Sequence, residues 1–109
     1  MEFKPRIKLI EETEGSQELA KKGDLVAVRL SGWLNKGKSI QENQIVEITL
    51  GKRLVIPGIE YTIEGMRRGG KRKVRISPHL AYGDTGTGTI PANAVLIYEI
   101  ELLEVKPGT

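Results

Sequence analysis

One hundred and nine residues carrying seventeen lysines and arginines against fourteen aspartates and glutamates, for a net charge of +3, make one domain, large enough to bury a core and too short for two. With no cysteine and a single histidine, the chain has no disulfide framework, no thiol nucleophile and no histidine or cysteine cluster for zinc, so thiol, metal and cofactor chemistries are not expected. The opening Met1-Glu2-Phe3-Lys4-Pro5 lacks the apolar run of a signal peptide, and no segment approaches the ~20 apolar residues of a membrane span, which makes a soluble, cytoplasmic chain the expectation.

Arg6 to Glu12 places Ile7, Leu9 and Ile10 among charges and reads as a strand, broken by Thr13-Glu14-Gly15-Ser16. Asp24 to Leu34 alternates Val26, Val28 and Leu30 against Ala27 and Arg29, a second strand, with a turn at Asn35-Lys36-Gly37-Lys38. The glycine before Trp33 leaves that tryptophan's face ambiguous, with core or edge packing as its default role. Ile45 to Leu50 reads as a third strand with Val46, Ile48 and Leu50 on one face.

At Val55-Ile56-Pro57-Gly58 the period changes. Pro57 suits the first turn of a helix, where its missing N–H has no intrahelical partner and its fixed φ is already near helical, so a helix should begin near Ile56. Ile59, Ile63 and Met66 form one apolar stripe, Glu60 and Glu64 fall off it, and Gly65 is suited to end the helix. From Lys71 the period returns to two, with Lys73 and Arg75 alternating with Val74 and Ile76.

The basic run Arg67-Arg68 to Lys73 invites a nucleic-acid reading. Intermixed acids, few aromatics and no recognition-helix or RNP-like motif favour a solvated, aggregation-resistant edge instead, and no nucleic acid is expected as a partner. His79, in the turn Ser77-Pro78-His79, reads as a surface residue without a catalytic role, and Asp84 and Glu42 lack the paired spacing of general acid–base chemistry. Gly83 to Asn93 is glycine- and threonine-rich and aperiodic, and reads as a flap beside a pocket rather than a phosphate loop, because no Gly-Lys-Ser/Thr follows it. Leu96, Tyr98, Ile100 and Leu102 against Ile97, Glu99 and Glu101 are the cleanest strand pattern in the chain. The sum is an α+β domain, an antiparallel sheet closed over one short helix.

Val55-Ile56-Pro57-Gly58, Gly65-Met66 leading to Gly69-Gly70-Lys71-Arg72-Lys73-Val74, Ile76-Ser77-Pro78-His79-Leu80-Ala81-Tyr82-Gly83, and Ile90-Pro91 leading to Leu96–Leu103 together resemble the FKBP-type peptidyl-prolyl isomerases. With Gly23-Asp24 through Ser31-Gly32 and Leu34, the resemblance runs collinearly over residues 23 to 105 of a single domain spanning 1–109, with 1–22 as an N-terminal strand and loop. It implies a twisted antiparallel sheet wrapped around the helix, with an apolar pocket between them that receives a proline ring.

Carried over residue by residue, the resemblance makes Tyr82 a hydroxyl donor to a substrate carbonyl and the Ile56 N–H a second donor, and makes Val55, Ile56, Ile90 and Tyr98 pocket walls. Ile59 stands where the family has a floor tryptophan, Leu30 where it has a strand tyrosine, and Val46 where another aromatic is common. The family's Phe-Asp-Ser-Ser wall is represented by Ile40-Gln41-Glu42-Asn43, so its carboxylate becomes Gln41 or moves to Glu42.

An aromatic cup thus becomes an aliphatic one. Isoleucine buries less area than tryptophan and lacks its ring face, which implies an X–Pro isomerase of reduced activity and counts against tight binding of macrolide inhibitors. The expected partners are proline-containing peptides or unfolded chains, met by a monomer. A catalytically impaired binding or chaperone module is the alternative, and a scaffold using the basic 67–73 edge is a distant third.

Overall fold

The computed structural model describes residues 6–108; the first five residues, including the segment read as lacking a leader, and the last residue lie outside the described residues. Five strands, β1 (Ile7–Thr13), β2 (Leu25–Leu34), β3 (Ser39–Thr49), β4 (Lys71–Ile76) and β5 (Leu96–Lys106), and one helix, α1 (Pro57–Ile63), follow in the order β1, β2, β3, α1, β4, β5. The strands form one antiparallel sheet in the spatial order β1-β4-β5-β2-β3, so β5, the strand with the cleanest alternation, lies at its centre. No helix among the described residues is long and apolar enough to cross a membrane.

The alternation decides which face is buried. Val26, Val28, Leu30, Val74, Ile76, Leu96, Ile100 and Leu102 are all at most 2 % exposed and meet Ile59 and Ile63 of α1, and Met66 just beyond the helix rather than within it, in one apolar cluster. Pro57 opens α1 and holds Ile56 in an extended conformation, φ −59° and ψ 148°, as a residue preceding proline must be. Gly58 lets the helix approach the sheet: a Cβ there would stand 2.5 Å from Ile76 Cγ2. Gly65, at φ 85°, ends the helix, and its N–H and the Met66 carbonyl pair with the carbonyl and N–H of Ala20.

The third strand is longer than the Ile45–Leu50 expected from periodicity. Ser39 to Gln44 is polar and unpatterned, yet it joins the ladder through Gly32↔Gln41 and Trp33↔Ser39. Backbone pairing and polar side-chain bonds, such as Ser31 with Asn43, hold this edge with Ile40 as its one apolar side chain, so no hydrophobic alternation announces it. Ile40-Gln41-Glu42-Asn43 is therefore strand.

Two charged side chains also depart from expectation. Glu60, read as lying off the apolar stripe, is 8 % exposed, and its Oε2 accepts the N–H groups of Gly51 (3.1 Å) and Arg53 (3.3 Å). It pins the turn that leads into Val55 and Ile56. Likewise, β4 is no solvated edge, because β1 covers it. Arg72 shares its buried face, 5 % exposed, donating to Glu12 Oε2 and to the Thr62 carbonyl, each at 2.7 Å. The guanidinium offers five donors in a fixed fork, so it can serve a strand carboxylate and a helix carbonyl together.

Removing that link leaves a buried carbonyl and a half-shielded carboxylate without their donor. Arg72→Ala should lower unfolding free energy in urea by about 3 kcal/mol, and Arg72→Met, which retains the stem's packing, by roughly half as much; equal, negligible losses would contradict the bridging role. Asp24 supplies an acid-range prediction. Its carboxylate accepts the Gly108 N–H (3.0 Å) and the Lys21 N–H (2.9 Å), and these bonds, Gly108 first, hold it below the usual carboxylate range. A depressed folded pKa contributes stability above the unfolded value that is lost as pH falls through the folded one. Stability of Asp24→Asn should therefore fall less on acidification than that of the parent, and parallel curves would contradict this.

Candidate functional site

All nine residues nominated from the sequence belong to the hydrophobic core that runs through the whole sheet and helix: Leu30, Ile56, Ile59 and Tyr98 as buried members, Ile40, Val46, Val55, Tyr82 and Ile90 as half-buried ones packed against it. They arrive from every side. Leu30 comes from β2, Ile40 and Val46 from β3, Val55 and Ile56 from the approach to α1, Ile59 from its first turn, Tyr82 and Ile90 from the β4–β5 connection, and Tyr98 from β5. Leu30 at 2 % and Ile59 at 3 % exposure lie beneath the surface, so they can act only as a floor. Surface area facing a ligand is left to the half-buried residues.

Two hydrogen-bond donors sit among this aliphatic surface. The Ile56 carbonyl accepts from Ile59 (3.0 Å) and Glu60 (3.3 Å), but its own N–H meets no acceptor among the described residues. It lies in the non-helical residue that precedes α1, where a helix leaves N–H groups without intrahelical partners. The Tyr82 hydroxyl also has no internal partner among the described residues. Tyr82 follows a single 3-10 turn at Pro78–Leu80, and its carbonyl accepts the Gly86 N–H at 3.1 Å. The rest of the segment read as a flap is ordered by its backbone: Thr87 and Ile90 bond to each other in both directions, and the Asn93 N–H bonds to the Gly83 carbonyl at 2.8 Å.

Tyr98 is the opposite case, a phenol whose bonding is complete within the fold. Gly32 stands between its cross-strand neighbours Gln41 on β3 and Tyr98 on β5. The Tyr98 ring lies over Gly32 so closely that a Cβ there would be 2.5 Å from the ring's terminal carbon. The ring thereby crosses β2, and its hydroxyl donates to Gln41 Oε1 at 2.7 Å, while Gln41 Nε2 donates to Gln44 Oε1 at 2.8 Å. Burial, and then the neighbouring Tyr82 phenol, push the Tyr98 hydroxyl up to about 12. Gln41, which stands where the resemblance puts the family's carboxylate, is the acceptor of the Tyr98 hydroxyl, and Gly32 makes room for the ring, a role not expected from the sequence. A glycine interrupting a strand's alternation was its signal, because such a glycine commonly marks a close approach by another group.

His79 is exposed, with Nδ1 3.0 Å from Ser77 Oγ, and takes no part in the cluster. Trp33 is half-buried, with Lys73 Nζ 5.9 Å from its ring centroid. The chemistry these residues offer is therefore half-buried apolar surface with two hydrogen-bond donors suited to a carbonyl oxygen.

Tyr98 provides a test of this geometry. A raised phenol pKa contributes stability fully present below about pH 10 and lost as pH rises through about 12. Ultraviolet difference titration should resolve one of the three tyrosines near 12. In Gly32→Ala that step should move down towards its ordinary value, with a loss of about 1–3 kcal/mol in stability from overpacking. Three tyrosines titrating together in the parent would contradict the buried Tyr98–Gln41 arrangement.

Comparison with known proteins bears on the family and the fold. The family model for FKBP-type peptidyl-prolyl cis-trans isomerase matches residues 16–103. An FK506-binding protein of Neisseria meningitidis is 42 % identical over 97 residues, covering 84 % of this chain and 89 % of that protein. FK506-binding protein 1A of Neurospora crassa is 40 % identical over 106 residues, covering 93 % and 88 %. FK506-binding protein 4 of Chaetomium thermophilum is 41 % identical over 95 residues, but there the chain spans only 20 % of its relative's length. The crystal structure of FkpA from Escherichia coli superposes with a TM-score of 0.81 at 34 % identity, over 94 % of this chain and 48 % of that one.

Proposed function

From the premise that the chain belongs to the FKBP-type peptidyl-prolyl cis-trans isomerase family, we propose that it accelerates rotation about X–Pro bonds at the Val55–Tyr82 cluster, with modest activity. The observation that carries this reading is that the Ile56 N–H and the Tyr82 hydroxyl, both belonging to residues of the apolar core and its half-buried margin, have no hydrogen-bond partner among the described residues.

The barrier to be lowered is about 18–20 kcal/mol, because rotation breaks amide resonance. A twisted amide separates less charge than a planar one, so an apolar surface that strips water from the planar form penalises the ground state more than the transition state. Val55, Ile56, Val46, Ile40 and Ile90 enclose the proline ring over the Ile59 floor, while Tyr82 and the Ile56 N–H hold the substrate carbonyl. No bond is made or broken. Differential binding of about 4 kcal/mol gives a thousandfold acceleration, within reach of two hydrogen bonds and desolvation.

The modest activity follows from the floor. Ile59 and Leu30 close the cup with less area and no ring face, and Tyr98 spends its hydroxyl on Gln41. The same features support a second reading, in which the surface binds proline-containing or unfolded chains without accelerating isomerisation.

NMR exchange rates on a panel of X–Pro peptides separate the two. The parent should accelerate cis–trans exchange, Tyr82→Phe should lower kcat/KM by about tenfold, the worth of one hydrogen bond, and Ile59→Trp should raise it. Saturable binding without acceleration would establish the binding module, and activity indifferent to Tyr82→Phe would overturn the proposed site.

A further inference from the structure

The outer face of the sheet is divided by charge. Towards one end its charges are paired: Arg29 with Glu101 at 3.1 Å and Lys71 with Glu99 at 3.8 Å. Towards the other, the row Lys8, Arg75, Ile97, Trp33 runs across β1, β4, β5 and β2, and no carboxylate lies within 4 Å of Lys8 or Arg75 among the described residues.

Three contiguous grooves lie at this second end. One of about 230 Å³ is lined by Arg6, Lys8 and Arg75. A second of about 160 Å³ contains Trp33, Lys73 and Ile97. The third, about 420 Å³, shares Leu34 with the second and Val95 with the first, and adds Lys36. Among the described residues, five cations and no carboxylate line the three, on a chain with fourteen acidic residues. Lys73 alone of the five has a carboxylate near it among the described residues, Glu11 at 4.0 Å, and that glutamate is 74 % exposed.

We propose that these grooves form a docking surface for an extended acidic polypeptide that carries apolar side chains. Charge complementarity selects the acidic partner, since uncompensated cations attract and orient an opposite charge. The wide groove selects a polypeptide over a nucleic acid: Leu34, Pro91, Ala92, Ala94 and Val95 make it chiefly apolar, suited to aliphatic side chains rather than phosphates. Lys73 already sits over the Trp33 ring, where a base would otherwise stack. Pro91 follows Ile90, so the docking surface adjoins the candidate proline site through consecutive residues.

Trp33 is the only tryptophan, so its fluorescence reports this face alone. Titration with a short proline-free peptide of glutamate and leucine should give a saturable change in emission that weakens with salt. The double variant Lys8→Glu/Arg75→Glu should bind about tenfold or more weakly while isomerising a neutral X–Pro peptide at the parent's rate, because neither residue lies in the candidate site. Arg75→Gln, a milder change, should weaken binding in the same direction. Equal binding of a lysine and leucine peptide, tighter binding of oligothymidylate, or indifference to the charge reversal would each overturn the proposal.

Discussion

Everything in this fold depends on burying the stripe Ile59, Ile63 and Met66 against the inner face of the sheet. A seven-residue helix does not persist alone in water, since nucleation costs more than so few hydrogen bonds return. Each fully buried aliphatic side chain contributes about 1.5–3 kcal/mol, and the sheet supplies the surface that makes this possible. The other contacts of α1 secure its direction: Gly58 admits it close to Ile76, Arg72 holds the Thr62 carbonyl, and Glu60 ties it to the preceding turn.

The candidate site is a consequence of that packing. Because Pro57 starts the helix and keeps Ile56 extended, the Ile56 N–H precedes the intrahelical ladder and remains available. Because Glu60 holds Gly51 and Arg53, the approach to Val55 is fixed by the same helix that provides the Ile59 floor. Across the sheet, Gly32 provides the space through which Tyr98 reaches Gln41, so that phenol is satisfied while the Tyr82 hydroxyl has no partner among the described residues. Helix packing and site geometry are therefore one constraint.

Where a face was half-buried, sequence periodicity located it: β4 and β5 coincide with their alternations, and α1 follows from Pro57 and the isoleucine spacing. Ser39–Gln44 was not legible as strand because backbone pairing and polar side-chain bonds, with Ile40 as the one apolar side chain, hold that edge. Arg72 and Glu60 were misjudged because a charged residue reads as solvent-facing unless its partner is known, and Glu12 and the Gly51 and Arg53 N–H groups are tertiary neighbours. For the candidate site, the collinear family motifs nominated residues that all lie in or against the hydrophobic core. The Gly32–Tyr98–Gln41 row was hidden, since it joins three strands whose register no single strand encodes.

The most direct test of the central claim, that an X–Pro chain is held at Ile56 and Tyr82 over the Ile59 floor, is an amide NMR titration of the isotope-labelled protein with an X–Pro peptide. The largest shift should fall on the Ile56 amide, with Val55, Ile59 and Tyr82 moving alongside it, as a newly acquired hydrogen bond to the free N–H requires. Shifts that leave Ile56 unmoved and gather elsewhere on the molecule would contradict the site.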